Sequence, residues 1–135
     1  MKTFLFAAFC IAMPNVALGW SESDMKALKE TQICRSCDLN GADLRWANVY
    51  AAELGGAANL VGADLTGSDL TGANLYGANL ESTTLSDAKL NGADLRWSSL
   101  LGADLSGAYI GNAKLDGAIF CKTIMPDGTV NDSNC

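Results

Sequence analysis

The sequence predicts an all-β solenoid, and three observations lead there. The stretch from Cys37 to Phe120 repeats every five residues, as in Ala63-Asp64-Leu65-Thr66-Gly67 followed by Ser68-Asp69-Leu70-Thr71-Gly72. Each five carries one large apolar residue with a small residue two positions before it, and two residues apart on extended backbone point to the same side. Of the 14 glycines, 10 fall two positions after the large residue, where a type II turn needs positive φ. A helix would smear a five-residue spacing around its whole circumference. A flat strand would flip it from face to face. A chain that turns a corner every five residues presents each pair to a common interior.

Residues 1–19 read as a secretory signal, with Lys2, an apolar run from Phe4 to Met13, and small Ala17 and Gly19 at the cleavage site. The run is shorter than the ~20 apolar residues a membrane span needs, so no span is expected in the mature chain. Residues 20–36 are read as a helical cap. Ser21 is placed to cap a helix running to Thr31, with Asp24 three positions on. Met25, Leu28 and Ile33 are expected to lie over the open first coil, since a solenoid end otherwise exposes apolar side chains and strand edges.

The solenoid proper is assigned to 37–122. Its expected buried series is Leu39, Leu44, Val49, Leu54, Leu60, Leu65, Leu70, Leu75, Leu80, Leu85, Leu90, Leu95, Leu100, Leu105, Ile110, Leu115 and Phe120. One slip interrupts it: Leu54 and Leu60 are six apart, and Gly55-Gly56-Ala57 between them can absorb a corner bulge. Trp46, Ala51, Ser82, Asp87, Trp97 and Asn112 stand where Gly usually does, so a different turn type is expected at those corners. The A(D/N)LxG fives resemble the pentapeptide-repeat family. That resemblance implies a right-handed, quadrilateral parallel β-helix of about four coils, with four fives to a coil stacked at the ordinary strand spacing of about 4.8 Å.

Residues 123–135 are read as a capping tail. Pro126-Asp127-Gly128 lies between apolar pairs, which is turn chemistry, and Met125 continues the inward series. The tail is expected to stop end-to-end stacking of rods. Four cysteines remain once Cys10 leaves with the signal: Cys34, Cys37, Cys121 and Cys135. Three pairings are open to them; Cys34–Cys37 with Cys121–Cys135 is favoured, each bridge sealing one end. Cys34 and Cys37 have C-x-x-C spacing, but no second close pair or His completes a metal site. A redox role would need a reactive thiolate, whereas Cys37 occupies an inward slot. No metal and no cofactor are expected.

Composition narrows the function. There is no His, which removes His-based acid–base chemistry, and no residue set forms a catalytic constellation. Loss of Lys2 leaves 8 basic residues against 15 acidic, net −7, so no nucleic-acid partner is expected. Asp43 and Asp64 share one outward column; such a pair could hold Ca²⁺, but without a carbonyl-rich loop it reads as simple solvated carboxylates. Gly-Ala-Asp-Leu-Arg-Trp occurs at 41–46 and again at 92–97. Arg45, Trp46, Arg96 and Trp97 are therefore candidate contact residues, the competing reading being that each ring covers Gly backbone of a neighbouring coil. Val61, Leu101, Ile119 and Cys121 make one side less polar, with Trp97 at the adjoining corner, a strip suited to a protein partner or a homodimer seam. The leading expectation is a non-enzymatic exported scaffold. The alternatives are a DNA-mimicking inhibitor of type II topoisomerases, as the resemblance implies for some members, and a thiol–disulfide protein using Cys34 and Cys37.

Overall fold

The computed structural model describes residues 19–135, so the signal reading falls outside the described residues apart from Gly19. From Ile33 onward the chain winds as a right-handed quadrilateral β-helix. Fifteen parallel bridges join successive coils, from Ile33 with Glu53 to Asp104 with Ile124. Each side is so short that only the residue before the large apolar one forms a bridge.

The same backbone accounting recurs on every side. Leu65 N–H donates to Thr84 C=O of the next coil at 2.7 Å, and Thr84 N–H donates back to Ala63 C=O at 3.0 Å. The corner amide of Gly67 donates to Ser86 C=O at 2.8 Å. The residue after the Leu would be left without a partner, and the Asp or Asn before the Leu supplies it. Asp64 Oδ1 accepts from Thr66 N–H at 3.0 Å, Asn74 Oδ1 from Tyr76 N–H at 3.0 Å and Asp94 Oδ1 from Arg96 N–H at 3.2 Å. The polar residue of the repeat is thus part of the backbone hydrogen-bond system.

Apart from the slip, the repeat corners are one turn type whether Gly or another residue sits there, which corrects the expectation of a second at the non-glycine corners. Trp46, Ala51, Ser82, Asp87, Trp97 and Asn112 all adopt φ between 54° and 61°, as Gly does at neighbouring corners, and none of the residues preceding them has positive φ. The closing bonds are the same too, Ala47 N–H to Leu44 C=O at 3.1 Å matching Ala63 N–H to Leu60 C=O at 2.9 Å. These are type II turns. Ladder bonds on both sides hold the chain in that geometry whichever residue sits there. The slip is a corner with two successive positive-φ residues, Gly56 and Ala57, after which the bridge spacing falls from 21 residues to 20.

The core runs up the axis as four stacks, and Leu39 through Leu105 of the inward series are buried. Ile110, Leu115 and Phe120 are only partly buried, which corrects their assignment to the fully buried core: they line the last coil, and no complete coil follows to cover them. Polar residues enter the small-residue slots where a carbonyl can take their proton. Thr83 Oγ1 donates to Leu60 C=O at 2.8 Å and Thr123 Oγ1 to Leu100 C=O at 2.7 Å.

Helix α1, Glu22–Thr31, closes the first coil. Ser21 Oγ accepts from Asp24 N–H at 3.3 Å, and Asp24 Oδ2 accepts from Asp38 N–H at 2.8 Å, fixing the cap to the first side. Met25, Leu28 and Trp20 are buried over the coil. Ile33 is not part of that lid: it is 52% exposed because it already occupies an outward position of the ladder. The β-helix therefore begins within the segment assigned to the cap, and Cys34 takes the Leu slot. At the other end bridges reach Ile124, two residues past the expected boundary. There β1, Thr123–Ile124, pairs antiparallel with β2, Val130–Asn131. Gly128 (φ 85°) and a Gly128 N–H to Met125 C=O bond of 2.8 Å close the Pro-Asp-Gly loop. Disulfides join Cys34 to Cys37 and Cys121 to Cys135.

Candidate interaction surface

Exposed large apolar side chains fall in two groups among the repeats: Trp46, Tyr50 and Tyr109 on the third side and the corner before it, and Tyr76, Trp97, Leu101 and Ile119 on the fourth and first sides of the later coils. Trp97 stands at the corner between them with 63% exposure, Leu101 and Ile119 follow on the first side, and Tyr76 lies on the preceding wall one coil earlier. Tyr76 was not singled out from sequence; it lies twenty residues before Arg96, and that spacing was the available signal. The Arg96 guanidinium sits 5.5 Å from the Tyr76 ring centroid, within cation–π range. Its Nε and Nη2 donate to the two Asp94 oxygens at 2.8 and 2.7 Å. Val61, two coils before Leu101 in the same column, is only half-buried-to-solvent, and Cys121 is half-buried in its disulfide.

The second copy of the hexapeptide motif repeats the geometry elsewhere. Arg45 Nε and Nη2 donate to Asp43 at 2.8 and 2.7 Å, and Asp64 Oδ2 lies 3.9 Å from Nε. Asp43 and Asp64 thus face an arginine rather than a free cation pocket. The hydrogen bonds from Arg45 hold the Asp43 carboxyl below the ordinary carboxylate range, and Arg96 does the same for Asp94. Trp46 stands at the corner between the second and third sides, diagonal to Trp97, so the structure does not bring Arg45 and Trp46 onto the strip.

Each indole lies flat on a glycine of the following coil. A Cβ built on Gly67 would come within 2.1 Å of Trp46, and one on Gly117 within 2.5 Å of Trp97. Asp87 leans in the same way on Gly107, at 2.3 Å. A left-handed corner directs its side chain toward the next coil, and in no corner column do two non-glycine residues follow one another. One face of each Trp is spent on covering backbone while the other faces solvent.

Cys34 and Cys37 are 2% and 6% exposed, bonded to each other across the first corner. Cys121, Asp132 and Cys135 are the cluster of metal-ligating types among the described residues, but both its sulfurs are consumed by the disulfide. No helix among the described residues is long and apolar enough to cross a membrane.

A sequence model of pentapeptide repeats matches residues 56–87 and 88–125, with 8 copies. The chain belongs to the pentapeptide-repeat family. The match begins at Gly56, whereas the ladder shows that the pentapeptide architecture starts a full coil earlier, where Cys34 and Val49 replace Leu. Among solved structures, a pentapeptide repeat protein from the cyanobacterium Cyanothece 51142 is similar with a TM-score of 0.61 and 25% identity, over 76% of this chain and 97% of that one. Another, from the thylakoid lumen of Arabidopsis thaliana, has a TM-score of 0.51 and 25% identity, over 70% of this chain and 68% of its own. No curated protein sequence matches the chain.

Proposed function

We propose that this pentapeptide-repeat protein is an exported, non-enzymatic interaction module. Its order is a signal at 1–19, the helical cap, the β-helix and the capping tail, and it docks a protein partner along the Trp97–Leu101–Ile119 strip. The observation that carries this reading is the strip itself: three large apolar side chains 39–63% exposed on the late coils of a chain of net charge −6. Aromatic and apolar clusters with an arginine at the edge have the composition of interface centres. Export is supported by the two disulfides, which persist in oxidising compartments. The lumenal Arabidopsis protein offers a parallel for such a compartment.

The test is capture from the exported fraction with the oxidised protein, beside Leu101→Glu/Ile119→Lys, accompanied by sedimentation. A partner retained by wild type and lost by the double variant supports the reading. If wild type alone sediments as a dimer, the partner is a second copy. Unchanged capture and sedimentation would sink the strip. Cell fractionation bears separately on export, and a cytoplasmic location would favour the topoisomerase-inhibitor alternative. The thiol alternative predicts insulin reduction; burial of both Cys34 and Cys37 argues against it.

A further inference from the structure

The C-terminal end of the rod is covered on only part of its edge. At the C-terminal end the tail serves the first two sides: Phe120 N–H and Lys122 N–H donate to Asn134 Oδ1 at 2.8 Å and Asp132 Oδ1 at 2.7 Å. Asn134 N–H donates to Phe120 C=O at 2.8 Å, while Leu105 and Gly107 N–H reach Ile124 and Pro126 C=O at 2.8 and 3.0 Å. The third and fourth sides have no such cover. Among the described residues, the N–H groups of Ile110, Asn112, Leu115 and Gly117, and the C=O groups of Ala108 and Ala113, have no hydrogen-bond partner. Beneath these groups the Ile110, Ala113 and Leu115 side chains are only partly buried. The tail thus bonds to the first two sides and leaves the third and fourth without it.

We infer that this half-open edge is a β-augmentation site that accepts an extended segment of another protein as one more half-coil. The pairing rule comes from the coils above. An incoming outward residue over Tyr109 would donate to Ala108 C=O and accept from Ile110 N–H. One over Lys114 would donate to Ala113 C=O and accept from Leu115 N–H, and the Asn112 and Gly117 amides would take the carbonyls at its two corners. All six of these groups find a partner in one register, the requirement that strand addition imposes. The same register sets the segment's chemistry. Small residues fall over Ala108 and Ala113, large apolar residues over Ile110 and Leu115, and the residue over Lys114 is acidic.

Charge favours that occupant. The fourth side of the last coil carries Lys114 and Asp116, and Lys114 stacks directly on Asp94 of the coil before, so an acidic residue over Lys114 would continue the alternation of charge in that column. Asp94 is already held by Arg96, so Lys114 is the cation of that column at the edge.

The probe is a synthetic decapeptide with the sequence of Ala63–Gly72, which has the required pattern and places the equivalent of Asp69 over Lys114. Binding is followed on the oxidised protein by titration and by amide hydrogen exchange. The expected result is saturable binding that slows exchange at Ile110, Asn112, Leu115 and Gly117, and leaves the amides of Phe120 and Lys122 unchanged. N-methylation of the peptide at the equivalents of Asp64 and Asp69 removes two hydrogen bonds and weakens binding at least about tenfold. Lys114→Glu weakens binding of the acidic peptide, and a peptide with Lys at the equivalent of Asp69 recovers it. Lack of protection at these four amides, or equal binding by the N-methylated peptide, would overturn the inference. So would protection of the same amides on concentrating the protein alone, which would assign the edge to a second copy.

Discussion

At the scale of single residues, the corners carry most of the strain and the inward small-residue slots carry the polar exceptions. Gly67 and Gly72 have the same left-handed backbone, yet only Gly67 lies under an indole. Gly72→Ala is expected to cost about 1 kcal/mol, the left-handed penalty alone. Gly67→Ala adds a clash with Trp46 and is expected to cost about 3 kcal/mol, with a shift in tryptophan emission as the ring is displaced. Urea denaturation of the pair measures the difference. Ser68 is fully buried and its hydroxyl has no partner, whereas the equally buried Thr83 hydroxyl is bonded to Leu60 C=O. Ser68→Ala is therefore expected to stabilise the protein by about 1 kcal/mol and Thr83→Ala to destabilise it by a similar amount. Two midpoints moving in the same direction would contradict this accounting.

At the scale of elements, the sides were readable and the ends were not. A side needs a small residue, a hydrogen-bonding residue and a large apolar one, and Ala63-Asp64-Leu65 states all three in the chain itself. The corner geometry at Trp46 or Asn112 was not legible from local preference, because the ladder imposes left-handed φ on residues that would not choose it. The first coil was under-counted since Cys34 hides a Leu slot, although it stands five residues before Leu39. Nor could the exposed half of the last coil be read, because Ile110 and Leu115 look identical to their buried counterparts until the path of the tail is known. The Trp97–Leu101–Ile119 strip follows from register alone, but Tyr76 joins it through a contact with Arg96 that spans two coils. The tail also makes a prediction. The Cys121–Cys135 bridge closes a 14-residue separation, so Cys121→Ser/Cys135→Ser is expected to lower stability by about 3 kcal/mol. Exchange should rise at the Phe120 and Lys122 amides and stay unchanged under α1; uniform acceleration would mean that the tail and coils unfold together.

For the whole molecule, charge sets the response to acid. Asp43 and Asp94 are held below the ordinary carboxylate range by Arg45 and Arg96, and Asp127 by its bonds from Thr129. A carboxylate lowered in the folded state contributes stability that is present above its unfolded pKa of about 3.9. That contribution is lost as pH falls through the folded value. The thermal midpoint should therefore be flat through neutral pH and fall below about pH 4. Asp43→Asn/Asp94→Asn should fall less steeply there, an effect kept modest by solvent exposure of both pairs. A midpoint that declines equally in the double variant would assign acid sensitivity to other groups.

The hexapeptide Gly-Ala-Asp-Leu-Arg-Trp recurs after two and a half windings rather than a whole number, and the two indoles consequently look in opposing directions. No flat body can rest on both at once. Any body that met one indole would therefore stand on the far side of the rod from a body that met the other.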